Sequence, residues 1–266
     1  MPLITVNGIT LSYEWIDDRP DAPALILLAG ALEGCSFWRR LTPLLHDRFR
    51  VVTLDSRGVG LTEAPDAGFT VEQLAADVLG LIDALGIERP HVLGHSLGSA
   101  VALELGRSQP DRIGKVVMVA GMYPGPAMVM PTSSATALLI NRGGDERERV
   151  ARDVAARTAP GFQDDQPEVF ASIVEERLTR ITQPRTYMRQ TRAGLSYIAT
   201  DRLSDRFRPP LCLVYGAQDA VVQPANGERI RAKVPDAPLH VIEGAGHLLP
   251  LERPDALAAI LTAFLG

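Results

Sequence analysis

Short apolar runs rich in branched residues recur through the first half of the chain and return near its end. The segments ITV (4–6), LSYEW (11–15), ALILLA (24–29), RVVTL (50–54), HVLG (91–94), KVVMVA (115–120), LCLVY (211–215) and LHVI (239–242) predict eight strands. From the third onward most are near-continuous in apolar character, without strict alternation, as strands covered on both faces of a parallel sheet require. Helical segments fall between them: Phe37 to Leu45, Val71 to Leu85 with Thr70 as N-cap, Leu97 to Gln109, Asn226 to Val234 and Asp255 to Leu265. The alternation predicts an α/β fold, a mostly parallel eight-stranded sheet flanked by helices, with two antiparallel strands at its start.

One region breaks the rhythm. From Met122 to about Thr200 no strand is evident; a Pro/Gly/Met-rich entry, YPGPAMVMP (123–131), leads into charged, helix-prone segments at DERERV (145–150) and VFASIVEERL (169–178). The expected organisation is therefore a core formed by residues 1–121 and 201–266, with 122–200 inserted as a helical cap or lid. An insertion between two sheet strands is placed to cover a site at the strand ends. The plainer reading is a helical elaboration without a role in binding. Long excursions inside compact domains favour the lid.

Composition narrows the function classes. The 266 residues carry a formal net charge of −5, and no basic stripe is present to attract a phosphate backbone, so nucleic acid is not an expected partner. The N-terminal residues lack the charged start and apolar core of a secretion signal, and no stretch approaches the ~20 apolar residues of a membrane span, which predicts a cytoplasmic protein without a membrane partner. Cys35 and Cys212 stand far apart without ligand spacing, so they read as packing residues. Oligomeric state stays open.

The chemistry concentrates in GHSLG (94–98), between a predicted strand and a predicted helix. On so sharp a turn, glycines on either side avoid Cβ clashes while the Ser96 hydroxyl projects above the strand ends as a nucleophile. The alternative is an ordinary turn whose serine caps the helix. A serine needs a base to accept its proton. Of the five histidines, His46 reads as a surface residue, His91 and His240 belong to strands, and His95 points away from its neighbour on a tight turn. His247, in EGAGHLLP (243–250) after the last strand, sits over the strand ends and is the expected base. Asp219 in YGAQDAVV (215–222) ends the seventh strand, whereas the loop after the sixth offers no carboxylate; Asp219 is the expected acid. By position, the amides of Leu97 and of Ala31, in the loop after the third strand, are the oxyanion-hole candidates.

With these pieces in this order, the chain resembles the α/β-hydrolase fold family over nearly its whole length. DSRGVGLT (55–62) is similar to that family's D-x-R-G-x-G-x-S segment, and GHLLPLERP (246–254) is similar to its G-H-x-x-x-x-E-x-P ending. The resemblance implies a Ser96, His247, Asp219 triad, an oxyanion hole from Ala31 and Leu97, and a cap between the sixth and seventh strands. Two departures stand out. Many members read His-Gly after the third strand where this chain reads Ala29-Gly30, and carbon–carbon bond hydrolases of the family usually carry Trp after the catalytic His, where Leu248 stands. Leu32, His95, Met122 and Leu248 are the substrate-binding candidates. Met128, Met130, Leu138, Leu139 and Leu249 also flank the expected pocket, which points either to a small, mainly apolar substrate or simply to packing of the lid against the body. The expected reaction is hydrolysis of a carboxylic ester or lactone through an acyl-enzyme, requiring neither metal nor organic cofactor. Carbon–carbon hydrolysis or lysis, perhydrolysis and ligand sensing on the same scaffold remain alternatives.

Overall fold

The computed structural model describes residues 1–16, 19, 21–64, 67–141, 143–180, 185–203 and 207–266. All eight predicted strands form: β1 (Leu3–Val6), β2 (Ile9–Trp15), β3 (Ala24–Leu28), β4 (Arg50–Leu54), β5 (His91–His95), β6 (Val116–Val119), β7 (Leu211–Gly216) and β8 (Leu239–Ile242). They make one sheet in the order β1-β2-β4-β3-β5-β6-β7-β8. Only β2 runs against the others, pairing antiparallel with both β1 and β4; every pairing from β4 to β8 is parallel.

The continuous apolar runs divide by the two-residue period of a strand. Ile26, Leu28, Val92, Val116, Met118, Leu213 and Tyr215 enter one core layer; Leu25, Leu27, Leu93, Val117, Val119, Cys212 and Val214 enter the other. Both faces are thus buried. The first layer is closed by α1 (Val71–Ala84) and α2 (Leu97–Ser108). The second is closed by Phe37, Trp38 and Phe49 together with the C-terminal part of the chain. Each such side chain contributes about 1.5–3 kcal/mol on burial, so the central strands anchor everything above them. Cys35 and Cys212 are buried free thiols.

Helix starts follow their caps. Thr70 and Gln73 form a reciprocal capping box at α1, with Gln73 N–H donating to Thr70 Oγ1 at 3.3 Å and Thr70 N–H donating to Gln73 Oε1 at 2.9 Å. The helix expected over Phe37–Leu45 is instead two 3₁₀ turns, Cys35–Trp38 and Thr42–Leu44. Pro43 accounts for the break, because it lacks an N–H and its ring collides with a continuing helix.

Among the described residues, five helices lie between β6 and β7: α3 (Ser133–Ile140), α4 (Glu146–Arg157), α5 (Phe162–Asp165), α6 (Pro167–Thr179) and α7 (Thr186–Ile198). Charged segments within 122–200 predicted α4 and α6, whereas α3 and α7 carried no comparable signal. Val154, Phe162, Phe170, Ile173 and Val174 of this excursion join the second core layer, so it packs on the sheet domain as part of one body. The chain closes with α8 (Ala225–Lys233), α9 (Leu249–Glu252) and α10 (Pro254–Leu265). Among the described residues, no helix is long and apolar enough to cross a membrane.

Candidate active site

The turn from β5 to α2 holds Ser96 at φ 51°, ψ −118°, a backbone conformation that L-residues rarely enter. Glycine makes the turn sterically feasible. A Cβ at Gly94 would collide with the Gly98 carbonyl, and one at Gly98 with the carbonyl of Leu28 on the neighbouring strand. Ser99 secures the turn from behind, donating from Oγ to Ser96 C=O at 2.5 Å and accepting from Met122 N–H at 3.2 Å.

Three loops at the carboxyl ends of the strands converge there. Asp219 follows β7; its Oδ1 accepts the amides of Val221 and Val222, both at 2.8 Å, leaving Oδ2 aimed at His247. His247 Nδ1 donates to that Oδ2 at 2.8 Å, and Ser96 Oγ lies 3.1 Å from His247 Nε2. The sequence-predicted serine, base and acid therefore form one hydrogen-bonded relay. Asp219 and His247 are 3% and 2% exposed, so their interaction is protected from solvent screening. The amides on Oδ1 fix the orientation of the carboxyl group, and Oδ2, by accepting from Nδ1–H, holds the imidazole as the tautomer whose Nε2 can accept from Ser96.

The loop after β3 runs directly over the serine, and a Cβ at Gly30 would lie 3.1 Å from Ser96 Cβ and 2.9 Å from His95 Nδ1. Among the described residues, neither the Ala31 nor the Leu97 amide donates to a backbone or side-chain acceptor.

His95 corrects the expectation that it binds substrate. Only 1% exposed, its ring packs between Phe37 and His247 at centroid distances of 4.7 and 4.8 Å, and its Nε2 donates to His247 C=O at 2.8 Å. Burial and the nearby His247 push its pKa down to about 3, so it stays neutral and supports the His247 loop from below. Leu248 is corrected likewise: it is 1% exposed and belongs to the second core layer. Leu32 does line the cavity, and Met122 is partly buried against the first layer.

A cavity of about 400 Å³ opens beside Ala31 and Leu32, between their loop and the helices α3, α4, α6 and α7. Its wall is mixed in character, and neither Ser96 nor His247 lines it. Leu138 and Leu139 reach it, but so do Arg149, Arg157, Arg177 and Arg180 together with Glu33 and Asp153. Leu249 is fully buried in the core and Met130 is exposed. Charged positions of α4 and α6 face inward because they pair across the cavity wall. Arg177 bridges Glu33 and Asp153, and Arg180 reaches Glu33 at 2.7 Å. Burial alone would raise the Glu33 pKa, yet Arg177 and Arg180 hold it down to about 2.

The same helices buttress the histidine loop. His247 N–H donates to Arg157 C=O at 2.7 Å, and Glu252 Oε2 accepts from Ala159 N–H at 2.7 Å and Gly246 N–H at 3.0 Å. Glu252 is visible in the sequence only as part of the G-H-x-x-x-x-E-x-P ending. The Arg157 contact is made through its backbone carbonyl and left no sequence signal.

The family model described as alpha/beta hydrolase fold matches residues 23–254. The chain belongs to the alpha/beta hydrolase family. Within it the chain is 28% identical over 98% of its length to RutD of Caulobacter sp. (strain K31), covering 97% of that protein, whose name is that of a carbamate hydrolase. It is also 28% identical over 94% of its length to a 2-hydroxy-6-oxononadienedioate/2-hydroxy-6-oxononatrienedioate hydrolase of Cupriavidus pinatubonensis, covering 89% of that protein. Among solved structures, the enol-lactonase of Burkholderia xenovorans LB400 superposes with a TM-score of 0.82 at 26% identity, 99% of each chain being covered. Relatives of the alpha/beta hydrolase thus share its architecture while being named for three different scissile bonds.

Proposed function

We propose that this alpha/beta hydrolase is a serine hydrolase that cleaves a small carboxylic ester or lactone bearing a polar or charged group, with residues 122–200 acting as its cap. The observation that carries the reading is the relay from Asp219 through His247 to Ser96, at 2.8 and 3.1 Å, beside the amides of Ala31 and Leu97. The polar group replaces the apolar substrate expected from sequence, because arginines and carboxylates line the adjoining cavity.

The chemistry follows from the geometry. Ser96 Oγ attacks the carbonyl carbon as its proton passes to His247 Nε2, and Asp219 stabilises the imidazolium. Ala31 and Leu97 donate to the oxyanion that develops. Collapse of the tetrahedral intermediate expels the alkoxide, which takes the proton from His247. Water, deprotonated by the same His247, then attacks the acyl-enzyme, releasing the acid and restoring Ser96.

A second reading, hydrolysis of a carbon–carbon bond, is supported by the relative named as an oxononadienedioate hydrolase and by the charged cavity wall, which suits a dianionic substrate. Leu248, buried where such enzymes usually carry Trp, weighs against it. One panel separates the readings: aryl esters, lactones, an aryl carbamate and a vinylogous 1,5-diketone acid, each assayed with wild type and Ser96→Ala. Ester or lactone turnover that disappears in Ser96→Ala supports the first reading. Preference for the diketone acid transfers the assignment to the second, and undiminished turnover in Ser96→Ala rejects both.

A further inference from the structure

The loop that carries the Ala31 amide is held from outside the sheet domain. Leu32, the next residue, has φ 62°, in the left-handed region that a leucine occupies only when its surroundings keep it there. Both of its backbone polar groups are bound by side chains from the helical excursion. Its N–H donates to Oε1 of Gln190 on α7 at 2.7 Å, and its C=O accepts from Nη1 of Arg180, which caps the end of α6, at 2.6 Å. Gln190 is 1% exposed, and its orientation is set by a hydrogen bond from Nε2 to Ser56 Oγ at 3.1 Å. Glu33, one residue further, is 5% exposed and paired to Arg177 and Arg180.

Little on the sheet side does comparable work. The position before Gly30 is Ala29, without a polar side chain to brace the loop. From the sheet domain the loop receives the Glu33 N–H to Gly30 C=O turn at 3.1 Å and, two residues later, the Cys35 N–H to Asp55 Oδ1 bond at 2.9 Å. Neither touches Leu32.

We infer that Gln190 and Arg180 are positioning residues for the oxyanion hole, so that the hole is complete only while the helices between β6 and β7 are seated on the body. The inference rests on the serine-hydrolase reading. It goes further by giving those helices a part in the chemical step besides covering the cavity. Without the Gln190 and Arg180 bonds, Leu32 relaxes from its left-handed conformation, which turns the adjoining Ala31 amide off its target.

The test compares Gln190→Met, which removes the acceptor at similar volume, with Gln190→Glu, which keeps an oxygen for the Leu32 N–H. Each is assayed for kcat, KM and inhibition by a trifluoromethyl ketone, whose tetrahedral adduct on serine places an oxyanion in the hole. Gln190→Met is expected to lower kcat roughly 30- to 300-fold, with KM within about threefold, and to weaken ketone inhibition in parallel. Gln190→Glu is expected to stay within roughly tenfold of wild type. A Gln190→Met protein that melts like wild type yet keeps kcat and ketone inhibition, or changes KM alone, overturns the inference. Should Gln190→Met fail to fold, Ser56→Ala loosens the same amide and is expected to cost kcat roughly three- to tenfold; no change there overturns it equally. If the wild type shows no Ser96-dependent turnover, the serine-hydrolase reading fails by itself. The clamp is then decided by amide exchange in residues 30–34, which must accelerate in Gln190→Met and contradicts the clamp if it does not.

Discussion

The strand ends and the helical excursion above them are built by different physics. At the strand ends, β3, β5, β6 and β7 are buried along nearly their whole lengths, and Ser96, Asp219 and the loop at Gly30 sit directly on them. Above, α4 and α6 present arginines and carboxylates to one another across a cavity wall, with an apolar patch only where Val154, Phe170, Ile173 and Val174 meet the core. Apolar packing on a rigid sheet fixes positions to within a fraction of an ångström, as nucleophilic catalysis requires. The paired charges above hold their positions through buried ion pairs and hydrogen bonds, so their geometry depends on how the helices dock and not on sheet packing.

The largest effect that sharpens this contrast lies in the sheet platform. Asp219→Asn leaves the shape intact but removes the charge that orients His247, and kcat is expected to fall by roughly 10³–10⁴-fold with little change in KM. Steady-state kinetics on the best ester of the panel checks this. Near-normal kcat would move the acid elsewhere.

The next effect lies at the junction of the two regions. Glu33→Gln leaves Arg177 and Arg180 facing a neutral side chain in a buried setting and is expected to destabilise the protein by about 2–4 kcal/mol at neutral pH, read from denaturant midpoints. The stability supplied by Glu33 is present above the ordinary carboxylate value of 4.5 and is lost as pH falls through about 2. A change too small to detect would make the pairs peripheral to the fold.

The smallest effect concerns the histidine loop. Burial, opposed by the Ala159 and Gly246 amides, pushes the pKa of Glu252 up from 4.5 to about 7. In the window between these values the folded protein holds a proton that the unfolded chain has released, so rising pH removes stability. His95 works in the opposite sense. With its folded value near 3 against 6.5 unfolded, acidification through that window favours the unfolded chain. Glu252→Gln is therefore expected to flatten the loss of stability between pH 5 and pH 8 by about 1–3 kcal/mol, measured as melting temperature against pH. An unchanged profile would remove Glu252 as the titrating group.

The same contrast explains what could be learned from sequence. Continuous apolar runs, glycines that only a tight turn requires, and Asp219 and His247 directly after strands are local signals, and each led to the observed placement. His95 and Leu248 misled because neighbours of catalytic residues in sequence need not face the cavity; both point into the core. Pro43 was an available signal against the helix at 37–45. By contrast, the left-handed turn at Leu32, the Arg157 carbonyl under His247 and the reach of Gln190 across 158 positions arise from how the excursion docks, and nothing in the local pattern of those segments encodes them.

Covalent trapping reports directly on whether Ser96 is an activated nucleophile. Wild type, Ser96→Ala and His247→Ala would each be treated with an alkyl fluorophosphonate and read by intact mass and peptide mapping. One adduct per wild-type chain is expected, carried by the peptide containing residues 94–98, with none on Ser96→Ala and labelling of His247→Ala slowed by roughly 10³-fold or more. Folded wild type that takes no label, or takes it on another residue, would rule out Ser96 as the activated nucleophile.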